Sequence, residues 1–112
     1  MTALFGSGAP VNFNGATWVT VVAAPATGKQ REVLGLQVKN LDTADHTFSL
    51  RKNRNGTFHQ LWPDRVIATG LTAQVLDAPI VLDADTDSLE MKIEGAHSVT
   101  APAVDRAFFE VP

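Results

Sequence analysis

Residues 33–50, VLGLQVKNLDTADHTFSL, alternate apolar and polar side chains on both sides of a polar turn. Leu34, Leu36 and Val38 interleave with Gly35, Gln37 and Lys39, and after the turn at 40–45, Phe48 and Leu50 interleave with Thr47, Ser49 and Arg51. A period of two sends successive side chains to opposite faces of a strand. The stretch therefore predicts two paired, half-buried antiparallel strands, with Leu34, Leu36, Val38, Phe48 and Leu50 toward one core.

The same logic extends along the chain. Residues 17–24, TWVTVVAA, form a β-branched run closed by the turn PATGK at 25–29. Strands are expected over 32–40, 46–52 and 57–62, the last two joined by NRNG, whose Asn-Gly pair favours a type I′ hairpin. Pro63-Asp64 closes that strand, and 65–69 forms at most a short edge segment. Further strands are expected over 71–76, 80–82, 88–94 and 104–111. In SLEMKIE, Leu89, Met91 and Ile93 face inward while Ser88, Glu90, Lys92 and Glu94 face out. In the last strand, Ala107, Phe109 and Val111 make the more apolar face.

About eight short strands near ten residues apart, with no sustained helical stripe, predict an all-β chain. The expected fold is a single antiparallel β-sandwich of jelly-roll type over residues 16–112. Residues 1–15, rich in small and polar residues, read either as a loosely ordered terminus or as an extended N-terminal arm whose anchors Leu4, Phe5 and Phe13 lie on a neighbour.

With 112 residues the chain is one domain, and 45% apolar content suits a folded core. A net charge of −3, without a basic block, argues against a dedicated nucleic-acid binder. The absence of cysteine excludes disulfides, thiolate catalysis and Cys-based zinc sites. The N-terminus lacks the pattern of a secretory signal, and no window approaches the ~18 apolar residues of a membrane span. Synthesis in the cytoplasm without export and no membrane contact are the corresponding expectations.

Candidate chemistry is sparse. Asp83, Asp85, Asp87 and Glu94 match positions of a calcium loop, but Ser88 replaces the required glycine, so an acidic turn between strands is the favoured reading. His46, His59 and His97 lack metal-ligand spacing. Asp45-His46 and His97-Ser98 are only sequence neighbours, whose side chains point apart on a strand, so turn or surface positions are expected. Arg51, Lys52 and Arg54 form the basic cluster, at a hairpin tip. It is read as solvated or as a contact for an acidic partner. Trp18 and Trp62 suit core packing or an interface rim, with Trp62 the candidate interface residue, or they stack on sugars. GSG at 6–8 lacks the context of a phosphate loop. No cofactor, metal or catalytic residue is expected.

Four pieces, PATGKQREVLGLQVKN, DTADHTFSLRKN, LDAPIVLDADTDSLEMKIEG and AFFEV, occur in a distinctive order. From about Thr17 to Val111 the chain resembles small β-sandwich structural proteins of tailed bacteriophage and prophage virions. The resemblance implies a non-enzymatic virion component, made in the host cytoplasm. The head decoration (cement) type it suggests binds the major capsid protein as a homotrimer and stabilises the shell. The alternatives are a neck, tail or baseplate subunit, or a carbohydrate-binding module. The resemblance carries over no contact or catalytic residue. The loops at 40–45 and 51–54 are expected at opposite ends of the sandwich, either being a place for contact.

Overall fold

A computed structural model describes residues 10–76, 78–83 and 86–111. Among them there is no helix, and two antiparallel sheets pack face to face. The strands are β1 (Val11–Asn12), β2 (Val19–Val22), β3 (Gln30–Lys39), β4 (His46–Arg54), β5 (Thr57–Ile67), β6 (Thr72–Gln74), β7 (Ile80–Leu82), β8 (Asp87–Ile93) and β9 (Ala103–Val111). One sheet runs β1-β9-β3-β6, with β7 also paired to β3, and the other runs β2-β8-β4-β5. With β6 and β7 sharing one position beside β3, this is the strand order of a jelly roll.

The core lies between the sheets. Phe48 and Leu50 of β4, Leu89, Met91 and Ile93 of β8, Val33, Leu36 and Val38 of β3 and Val104 of β9 are all fully buried. In β8 the exposure pattern alternates without a break, as SLEMKIE predicts. The Asn55-Gly56 turn has φ of 51° and 89°, the paired positive angles of a type I′ hairpin.

Four expectations are corrected by the structure. In β3, Val33 pairs with Phe108 and Gly35 with Ala107, so a bulge falls at Leu34. The extra residue reverses the phase: Val33 is buried and Leu34 is 38% exposed. Gly35 fits because a Cβ there would stand 3.0 Å from the Gln74 side chain, whose Oε1 accepts from the Leu36 N–H at 2.7 Å.

In β9 the inward face is Val104, Arg106 and Phe108, not Ala107, Phe109 and Val111. Arg106 reaches across to the Val21 carbonyl of the opposite sheet, and Phe108 packs on the core. Third, β5 continues through Pro63 to Ile67. A bulge at 63–64 accommodates the proline, and on an edge strand its missing N–H interrupts little. Finally, the expected arm ends earlier than residue 15: β1 pairs with β9, and Phe13 donates its N–H to the Pro102 carbonyl at 2.9 Å.

Candidate functional site

Of the three anchors assigned to the arm, Leu4 and Phe5 lie outside the described residues. Phe13 does not lie on a neighbour: its ring is 2% exposed and meets Phe48 edge to face, centroids 5.3 Å apart. Trp62 is likewise a core residue, 7% exposed, with the Arg65 guanidinium 5.3 Å from its ring centroid. Neither supplies an exposed contact. Burial of so large an apolar area in the chain's own core accounts for both corrections.

The basic cluster splits by strand parity. Lys52 and Arg54 share the inward parity of Leu50 and reach Asp87, whose side chain has no exposed surface. Arg54 donates Nε to Asp87 Oδ1 and Nη2 to Oδ2, both at 2.8 Å, and Lys52 Nζ lies 3.3 Å away. Asp83 and Thr86 add their N–H and hydroxyl donors, and Arg54 also pairs with Asp83 at 3.0 Å. Chiefly through the Arg54 bond, and against the cost of burial, the Asp87 carboxyl is held well below the usual carboxylate range. Asp87 and the charge it carries raise the pKa of Arg54 in turn. The hairpin tip is thus tied to Asp83 and Asp87 rather than offering free cations. Of the calcium-loop residues, Asp85 lies outside the described residues. Asp87 and Glu94 stand at opposite ends of β8, roughly 20 Å apart for an extended strand.

Arg51 takes the outward parity. Its guanidinium carbon lies 4.0 Å from the centroid of Trp18 and 3.7 Å from that of Phe58, and Nε donates to Glu90 at 2.6 Å. Glu90 also accepts from Asn53. The stack crosses the outer face of the β2-β8-β4-β5 sheet.

At the opposite end, loops 40–45, 68–71 and 95–102 converge on two buried polar residues. Asn40 donates Nδ2 to the Ala44 and Ile67 carbonyls and accepts from the Asp42 N–H, while its backbone bonds Gly70 and Leu71. The Asp42 carboxylate, with no exposed surface, accepts from the backbone N–H groups of Thr43, Ser98, Val99 and Thr100. It also pairs with His46 Nε2 at 2.6 Å, and the Asp42 carbonyl accepts from the Thr69 hydroxyl. The other ring nitrogen of His46 meets Glu94 at 3.0 Å.

His46 is therefore a buried residue, 4% exposed, not the turn or surface histidine expected. Burial opposes charge on both partners. The bonds from His46 and from the N–H groups of Ser98, Val99 and Thr43 outweigh it and hold Asp42 well below the carboxylate range. The bonds to Asp42 and Glu94 likewise raise the pKa of His46 above its ordinary value of 6.5. The arrangement is a buried imidazole clamped between two carboxylates, which favour its protonated form. Both ring nitrogens are engaged, so none is left to take a proton from a nucleophile, as a catalytic triad requires. Sequence reasoning missed this clamp because Glu94 and residues 98–100 lie about fifty positions from Asp42 and His46. The one local signal was Asp42 four residues before His46 on the edge of a strand.

These three loops also carry exposed apolar side chains: Leu41 is 54%, Leu71 58% and Val99 69% exposed. Comparison with protein-family models, curated proteins and solved structures returns no match.

Proposed function

We propose that this chain is a non-catalytic virion structural protein of a tailed phage or prophage, a head decoration protein that seats on the major capsid protein as a homotrimer. The observation that carries the reading is the loop end built on Asn40 and Asp42. It presents Leu41, Leu71 and Val99 to solvent on a base whose buried polar groups are bonded to one another. An apolar surface on a rigid base suits docking, since little conformational freedom is lost on contact. Of the two loop ends this is the seating end, because the opposite end spends its cations on Asp83 and Asp87. The β5 edge suits self-association: it is the outer strand of its sheet and almost wholly exposed.

Sizing the purified protein and co-sedimenting it with expanded capsid shells tests the reading. The expected result is a trimer that sediments with shells, with Leu41→Ser plus Val99→Ser weakening the binding about tenfold or more while the fold is kept. A strict monomer with no affinity for shells overturns it. Rings of six or twelve found at the neck or tail would reassign the protein to that part of the virion.

A further inference from the structure

The outer face of the β2-β8-β4-β5 sheet holds a recess of about 310 Å³ beside the Arg51 stack. A second recess of about 460 Å³ along residues 60–64 shares Gln60 and Asp64 with it. The first lies at the lower end of the size range of small-molecule sites.

One wall is cationic and fixed. Glu90 holds Arg51 Nε and the rings of Trp18 and Phe58 cover the guanidinium faces. That leaves the two terminal nitrogens, which no acceptor among the described residues engages. Lys92 brings its ammonium to 5.0 Å from the Trp18 centroid, and no described carboxylate pairs with it. A planar guanidinium held in one orientation is suited to a two-point bond with a carboxylate.

The other wall accepts and donates hydrogen bonds. Asp64 accepts from Ser49 at 2.8 Å and from Gln60 at 3.1 Å, and remains exposed with oxygen capacity to spare. Phe58, 51% exposed, adds an apolar face at the rim. A purely anionic ligand would be repelled by Asp64, and a neutral one would leave Arg51 and Lys92 unused. A ring that carries both a carboxylate and hydroxyl donors answers both walls, with a C–H face for Phe58.

We propose that this recess binds a carboxylate-bearing sugar, with Arg51 and Lys92 on the carboxylate and Gln60 and Asp64 on the hydroxyls. The proposal stands apart from the seating of the opposite loop end and survives or fails independently of it.

The test is isothermal titration of the full chain with galacturonate and glucuronate oligomers, with neutral glucose oligomers and with acetate at matched ionic strength. Saturable binding is expected for a uronate, about tenfold or more tighter than for the neutral sugar or acetate. Lys92→Gln should weaken the uronate several-fold, and Arg51→Lys, which keeps the charge but loses the fork, about tenfold or more. Because Arg51 also packs against two rings, circular dichroism checks each variant, and Lys92→Gln alone is decisive if Arg51→Lys misfolds. No saturation with either uronate overturns the proposal. So does acetate binding as tightly as the uronates, or affinity unchanged in Lys92→Gln.

Discussion

Asp42 and Asp87 sit at opposite ends of the sandwich, each with its side chain fully buried, and they are compensated by different chemistry. Asp87 is met by long, partly exposed cations, Arg54 and Lys52. Asp42 is met by a histidine and by backbone N–H groups that belong to a loop more than fifty residues away. If Asp87 is lost, its cations can turn to water. If Asp42 is lost, a buried histidine loses one of its two partners and a loop loses its acceptor. Equal burial thus conceals unequal consequence, because the cost of breaking a buried pair depends on what the surviving partner can do next.

Four substitutions test that asymmetry. Asp42→Ala should have the largest effect, lowering the melting temperature by about 10 °C or more in a domain of this size. Hydrogen exchange should show the amides of Ser98, Val99 and Thr100 losing protection together. Asp87→Asn should cost less, about 5 °C, since an amide still accepts one bond and Arg54 is already half exposed. Equal losses from the two variants would remove the distinction between the ends.

The third substitution separates the ends by pH. His46 has a folded pKa raised above 6.5, so its contribution is complete below 6.5 and is lost as pH rises through the folded value. Asp42 and Asp87 have folded values below the ordinary 3.8, so their contributions are present above 3.8 and are lost as pH falls through the folded values. Melting curves across pH should show a plateau between these limits. His46→Gln should flatten the alkaline limb and leave an acid limb carried by Asp87 and by Asp42, which keeps its backbone N–H donors. An unchanged alkaline limb would mean that the clamp does not titrate with the fold. Arg54→Lys should be the mildest, about 2 °C, because the buried Asp87 keeps a cation beside it and loses only the two-point bond.

Much of this framework is legible in the chain itself. The β8 alternation, the Asn55-Gly56 hairpin and the two-layer arrangement follow from local pattern, because period and turn chemistry act over a few residues. Three features escape such a pattern. At Leu34 the bulge reverses a phase that the letters LGLQVK continue without a break. In β9, Arg106 occupies an inward position because the Val21 carbonyl opposite accepts its bond, a partner 85 residues away. Asp42 and Asp45 look alike as turn aspartates, yet only Asp42 is buried, since Ser98, Val99 and Thr100 arrive from another loop. The Arg51 stack was half legible: the cluster stood out, but not that its members would divide between the two faces of β4.

The bulge at Leu34 bears on how such a chain can change length over descent. Turns such as 26–29 can gain or lose a residue at little cost, because no side chain beyond them changes face. Between Val33 and Leu36 the count of residues is itself information. Deleting Leu34 would leave Val33 and Leu36 two positions apart, a regular strand with both still facing the core, whereas deleting a residue elsewhere in the strand with the bulge kept would turn part of its apolar set to solvent. A one-residue deletion in this strand should therefore survive at Leu34 and not elsewhere, while substitutions at the exposed Leu34 pass freely.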